Sequence, residues 1–424
     1  MILYYIMLFF ARFHDDPRLG GTLFNAGFLM VSPVKIVGGL ALIAALISAR
    51  PSHAAARQPN SLVALFLFLP VLPFTTATVS GVKVPDEWLS HVLSFITMLL
   101  ATRLLVCTDA RMQSTIRALV LVYLFSTLWI FKQHFLLNED RVYGLEGDPN
   151  YEAVGLVMVM PLAVWLAHHE KQNWLRKLAF LSVPVLIYAT LFTESRGGAL
   201  ALAVLSLGAF MRSKHKAIIV AGLIAILPIA AVALPTGFVS RIGNTRLSGI
   251  PVNGDEESSR IHFELMRAGI RMMEAKPIFG IGLGRFPELV ESYNIRLVNL
   301  TGQPFVAHNT YLQVGSECGF PVLAIWLGLM FVGFTNLRDA QQLARSRSLS
   351  DLALAMRFAL LAYAISVFFL TAEWVFPYWL LIFLSQSLRE LAAAQDASVP
   401  KVAVGRDAVS PQRHLPMVAR LLDA

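Results

Sequence analysis

The sequence predicts an all-α polytopic membrane protein of about twelve transmembrane helices with one long outer loop that itself contains helices. Three observations predict it. Of 424 residues, 56% are hydrophobic and 15% charged, with a mean hydropathy of +0.62, which is more apolar material than one soluble core can bury. The apolar residues come in unbroken runs near the length a helix needs to cross roughly 30 Å of hydrocarbon, and they do not alternate as barrel strands do. The lysines and arginines gather in every second connection between runs. Helices bond all their backbone groups internally, so they are the consistent way to span.

Taken in order, the runs fall at 1–12, 34–49, 61–79, 88–107, 112–131, 152–169, 175–193, 197–211, 217–234, 319–337, 353–371 and 374–389. The first lacks the basic start and small-residue cleavage site of a signal peptide, so it is read as a retained span, although residues 22–31 are also apolar. The 197–211 run is short enough for a tilted or partly buried helix. Basic connections stay on the cytoplasmic side. Arg50 and Arg57; Arg103 and Arg111; Lys171, Arg176 and Lys177; Arg212, Lys214 and Lys216; and Arg338, Arg345 and Arg347 form that set. The connections around Lys83, at 132–151, at 194–196, at 235–318 and near Glu373 then face outward. Topology thereby accounts for the formal net charge of +8, and no nucleic-acid partner is expected. The chain divides into N-terminal helices (1–234), the outer loop (235–318), C-terminal helices (319–389) and a flexible cytoplasmic tail (390–424).

The stretch 235–318 is the one long interruption, and it reads as ordered. Ser258 and Ser259 can cap a helix whose apolar residues Ile261, Leu265, Ala268 and Met272 recur at helical spacing, with Pro277 and Gly280 ending it. GIGLGRF at 280–286 has the look of a nucleotide loop but no strand frames it, so a turn is expected. HNTYLQVGSECGFP at 308–321 leads directly into the next span.

A pump or channel carries ionisable groups inside its spans. Here the spans are nearly free of charge, and the distinctive polar residues collect at the outer face. They are NEDRVYGLEGDPN at 138–150, which contains Arg141 and Asp148; TESRGG at 193–198; Arg260, Arg267 and Arg271 on the loop helix; and His308 with Asn309. An acidic ligand handled at that surface is the natural inference. Arg196 also fits an arginine snorkelling at a span end, but snorkelling does not require the flanking Gly197 and Gly198. Arg260, Arg267 and Arg271 share one helical face by their spacing, with Glu264 placed to neutralise one of them. A solvated basic face or headgroup contact is the plain alternative for Arg267 and Arg271. The planar guanidinium fork suits a diphosphate and can stabilise its charge as it leaves. His308 can accept a proton near neutral pH, and Asn309, Tyr311 and Gln313 surround it in sequence. Cys107 and Cys318 offer neither a disulfide framework nor a metal set. Asp148 and Glu146 suit only weak cation binding, so no metal and no cofactor are expected.

In order and spacing, TESRGG at 193–198, SSRIHFELMRAGIRMMEAKPIFGIGLGRF at 258–286 and AHNTYLQVGSECGFP at 307–321 together resemble the O-antigen ligase and O-antigen polymerase superfamily. GDPN at 147–150 also resembles a segment of some members. The resemblance implies a GT-C-like glycosyltransferase architecture in the bacterial inner membrane with its active site facing the periplasm. It implies that Arg196 and Arg260 contact the pyrophosphate of an undecaprenyl-linked glycan donor and that His308 is the candidate base. Arg267, Asn309, Asp148 and Arg141 join Arg196 and Arg260 as expected substrate contacts. Where members often have an aromatic residue four places after the loop-helix arginine, this sequence has Glu264. The expected partners are that donor, lipid A core oligosaccharide as acceptor and membrane lipids. A polymerase would use a second lipid-linked glycan, and a protein O-oligosaccharyltransferase a Ser or Thr. Ligase is preferred because the single long outer loop lies late in the chain. A transporter or flippase would instead show related halves and a polar path across the membrane, and neither is detected.

Overall fold

The computed structural model describes residues 1–12, 23–26, 29–48, 77, 81, 83–84, 86–139, 141–212, 214, 216, 254–294, 297 and 305–397. The expected spans at 61–79, Ala77 aside, and 217–234 lie outside these residues, as do 235–253 of the loop and 398–424 of the tail. Each remaining span meets a helix: α1 (Ile2–Arg12), α2 (Pro33–Ser48), α3 (Asp86–Leu105), α4 (Asp109–Leu137), α5 (Pro149–His169), α6 (Asn173–Phe192) and α7 (Arg196–Arg212) in the first part. The loop contributes α8 (Gly254–Ala275) and α9 (Phe286–Tyr293), followed by α10 (Thr310–Leu343), α11 (Arg347–Ser366) and α12 (Phe376–Ala397). A two-stranded antiparallel hairpin, β1 (Phe24–Ala26) with β2 (Leu29–Val31), occupies the apolar 22–31 stretch and leaves α1 as the first helix.

Among the described residues six helices, α3 to α6, α10 and α11, are long and apolar enough to cross a membrane. Large apolar residues such as Ile43, Ile47, Leu128, Phe180 and Phe331 stand exposed on outward helix faces. In water such surfaces would associate, whereas lipid accommodates them. The chain is a polytopic membrane protein.

Helix α5 is apolar on every side and sits in the middle of the bundle, touching α4, α6, α7, α11 and α12. Two glycines set how closely its neighbours approach. A Cβ on Gly155 would lie 2.6 Å from the Tyr123 ring of α4, and one on Gly198 of α7 would lie 2.7 Å from the Ala153 Cβ. The buried Tyr123, Leu156, Met158, Leu186, Leu360 and Tyr378 belong to the continuous core these contacts create.

The loop builds a second, smaller core from Leu265, Ala268 and Met272 of α8 with Ile281, Phe286, Val290 and Ala307. The helical spacing read from the sequence is therefore the buried face. Helix α8 begins at Gly254, ahead of the expected caps Ser258 and Ser259. GIGLGRF is a turn, and it clamps the loop to α10. Ile281 N donates to Ser316 O at 2.9 Å, Gly282 N to Glu317 O at 3.0 Å and Phe320 N to Pro277 O at 2.8 Å. Gly280 (φ +67) and Gly319 (φ +81) make this possible. A Cβ on Gly280 would strike the Glu317 backbone at 2.3 Å, and one on Gly319 the Ile278 carbonyl at 2.2 Å. Gly319 is also where α10 kinks.

Candidate functional site

One end of the bundle gathers the N-termini of α5, α7, α10 and α12 and the C-termini of α4, α6 and α11. The connector from Ser366 to Val375 lies among them. Asn309 Nδ2 donates to Phe368 O at 3.2 Å, Thr310 N to Val367 O at 2.9 Å and Thr310 Oγ1 to Leu370 O at 2.7 Å. Ala372 N returns a hydrogen bond to Thr310 Oγ1 at 2.8 Å, and the Tyr151 hydroxyl donates to Thr371 O. A Cβ on Gly197 would sit 3.4 Å from Ser366 O and from the Phe369 Cβ. Segments 148–151, 193–198 and 308–310, far apart in sequence, thus dock on one stretch of backbone. No pattern in the sequence marks that connector, because it works through carbonyls and amides rather than side-chain identity.

His308 immediately precedes the cap of α10 and has φ +47, a left-handed conformation that a non-glycine residue adopts only when its surroundings enforce it. The enforcing contacts are those of Asn309 and Thr310. Asn309 caps α10, accepting from Leu312 N at 3.0 Å, so both halves of its amide are engaged by the protein. The His308 ring lies parallel to that of His262 of α8, with centroids 4.4 Å apart and planes 6° apart. Burial lowers the His308 pKa below the usual imidazole value of 6.5, while the Asp148 charge acts in the opposite direction. Burial therefore biases His308 toward its neutral form.

Asp148 is the N-cap of α5, its Oδ1 accepting from Asn150 N at 2.7 Å and Tyr151 N at 3.3 Å. Arg141 ties the same segment to the α6–α7 turn, donating to Thr193 O at 3.1 Å and Asn150 Oδ1 at 3.5 Å. Arg196, half-buried, opens α7 just after Glu194, which has φ +52. A further anchor was not visible in the sequence. Buried Arg12 at the end of α1 pairs with Glu146 and, at 2.5 Å, with buried Glu152, and its guanidinium lies 4.6 Å from the centre of the Tyr123 ring. Glu146 is thus held by an arginine.

The loop arginines divide. Arg260 is exposed, and two residues of helix put it about 200° around α8 from His262, so the two do not share a face. Arg267 donates to Glu264 Oε1 at 2.8 Å, the neutralisation expected from spacing. Arg271 donates to Tyr293 O at 2.8 Å, satisfying the end of α9. Glu264, buried, also accepts from Asn294 Nδ2 at 2.8 Å. The residue standing where family members often carry an aromatic therefore pins α8 to the end of α9. His262 is the member of this cluster that sequence reasoning passed over, although it lies within the quoted SSRIH. Among the described residues no group of three His, Cys, Asp or Glu is placed to hold a metal ion.

No curated protein matches the chain. Residues 180–327, which contain Arg196, the loop helices, His308 and the kink of α10, match the family model described as O-Antigen ligase. That stretch of the chain is similar to the O-antigen ligase family.

Proposed function

We propose that the protein transfers a glycan from an undecaprenyl diphosphate carrier to lipid A core oligosaccharide at the periplasmic face of the inner membrane. The similarity of residues 180–327 to an O-antigen ligase family supports glycosyl transfer in general. The observation that carries the mechanism is His308, strained into a left-handed backbone, stacked on His262 and biased toward its neutral form by burial.

In this reading Arg196 and Arg260 hold the donor diphosphate. Arg196 reaches from the α7 terminus, and Arg260 from the exposed flank of α8. The amino-terminal ends of α5, α7 and α10 meet here, and their dipoles also favour an anion. The acceptor hydroxyl loses its proton to His308 as its oxygen attacks the anomeric carbon. The bond between that carbon and the phosphate oxygen breaks, the electron pair leaves with undecaprenyl diphosphate, and configuration inverts. Growing negative charge on the leaving group is what the arginines stabilise. Arg141 and Asp148 position the α5 end, and Arg267 lies at the edge of the acceptor side.

The test is to incubate the purified protein with undecaprenyl-diphosphate-linked glycan and, separately, with lipid A core, a second lipid-linked glycan and a Ser/Thr peptide. A product mass equal to glycan plus lipid A core is expected. A product formed only with one of the other acceptors would replace ligase by polymerase or protein transferase. No product with any of them would overturn the transfer reading.

A further inference from the structure

Helix α8 packs alongside α10 in the same direction, and the contacts between them form successive rungs. A Cβ on Gly269 would lie 3.3 Å from the Leu312 Cβ, and one on Gly315 would lie 2.6 Å from the Met273 Cε. The helices therefore approach as closely as their side chains allow. His262, Gly269 and Met273 follow an i, i+7, i+11 spacing, which keeps them within about 40° of one another around α8. His262 and His308 make the first rung of this ladder, with ring planes 6° apart and centroids 4.4 Å apart. The rungs behind it, together with the bonds from Glu264 to Asn294 and from Arg271 to Tyr293 O, fix where the His262 ring can stand.

The ring of His308 has need of such a support. Its backbone is set by the bonds of Asn309 and Thr310 to the Ser366–Val375 connector, but those bonds leave both side-chain torsions of His308 to whatever faces the ring. A general base must meet its proton at hydrogen-bond distance, and a misplacement of about 1 Å can cost on the order of 10²-fold in rate. Offset parallel stacking is a favoured arrangement of aromatic rings, and it fixes the plane of an imidazole through its face. The nitrogens lie at the ring edge. A stacked His308 therefore keeps that edge for reacting groups while α8 holds the face.

We infer that His262 is a positioning residue for the transfer reaction, its ring holding the His308 imidazole in the plane from which it takes the acceptor proton. The inference rests on the transfer reading, in which His308 is the base. His262 does not relay the proton, because rings that meet face to face do not point an N–H of one at a nitrogen of the other. What it supplies is a flat face at a fixed place.

The experiment measures steady-state transfer from undecaprenyl-diphosphate-linked glycan to lipid A core by the full-length protein in lipid nanodiscs. Wild type is compared with His262→Ala, His262→Leu and His262→Phe, each checked for its thermal transition. Ala and Leu remove the ring face and should lower kcat about 10- to 10²-fold with KM for both substrates within about threefold. Leu keeps apolar bulk, so it serves if the Ala variant unfolds. Phe keeps the face without a titratable group and should restore most of the rate. A Phe variant as slow as Ala, wild-type turnover in a folded Ala or Leu variant, or a change confined to KM each overturns the positioning role. A second readout does not need turnover. In protein with isotope-labelled histidine, the His308 Hε1 resonance, identified by its absence from His308→Asn, should move downfield in His262→Ala as the shielding of the stacked ring is lost, and should not do so in His262→Phe. An unmoved resonance overturns the stack whatever the turnover, whereas absence of product from the wild type overturns the transfer reading and the role built on it.

Discussion

The two ends of the helical bundle use charge in opposite ways. At the end carrying the basic connections, Arg345 pairs with Asp396 at 3.1 Å, Arg389 with Asp339 at 3.0 Å, Arg347 with Asp351 at 3.5 Å and Arg103 with Glu390 at 3.1 Å. Most of these groups are half-exposed. At the other end Arg12 and Glu152 are fully buried, and Asn138, Glu194 and His308, the non-glycine residues with positive φ among those described, all occur there. One end carries mainly half-exposed pairs, with buried Glu170, held by Arg117 at 2.7 Å, as its exception. The other has specified conformations that its neighbours enforce, as expected where reacting groups must be held in place.

Substitutions of similar kind should therefore differ sharply between the ends. The largest effect belongs to His308. Replacing it with Asn, which accepts a left-handed backbone, should lower transfer by about 10²- to 10⁴-fold while leaving the thermal transition in place. Wild-type turnover by a purified, folded His308→Asn protein would remove the base assignment. Next is Arg12→Ala, which strands Glu152 and should cost about 3–5 kcal/mol in reversible unfolding in detergent. Arg196→Ala should reduce turnover about 10²- to 10³-fold, with Lys failing to restore it because a point charge cannot supply the paired donors. A full rescue by Lys would mean that only charge matters there.

The pH profile gives a subtler test. Because burial lowers the His308 pKa, the base form persists into more acid solution, and the acid limb of the rate profile should lie below pH 6.5. Asp148 raises that pKa, so Asp148→Asn, which still caps α5, should move the limb further down. A limb moving upward would contradict the placement of Asp148 against His308. The smallest effect should be Arg345→Ala at the basic end, about 0–1 kcal/mol by the same unfolding assay. If it matched Arg12→Ala, the distinction between the ends would collapse.

Much of the bundle is legible from hydropathy because lipid imposes length and backbone satisfaction on every span, and the buried face of α8 follows from its 3.6-residue period. The docking of distant segments is not legible in the same way. Thr310 meets Val367 through its amide and Leu370 and Ala372 through its hydroxyl, and the connector answers with backbone groups that any residue supplies. The parallel His262 and His308 rings join a loop helix to the residue before the cap of α10, 46 positions away, and nothing in either local pattern announces the other. The pairing of Glu264 with Arg267 was readable, since three residues of helix bring them together, whereas its second tie to Asn294 depends on how α9 folds back.

The Arg12 anchor also bears on how the protein is made. Its partner Glu152 follows 140 residues later, so at about 5–20 residues per second the ribosome needs roughly 7–28 s to supply it. During that interval the first helix holds an uncompensated cation at its end, which the interfacial water can solvate but the hydrocarbon cannot. The finished contact seals the amino terminus against helices synthesised much later, so α1 acts as a latch that closes only once the bundle's central helix has arrived.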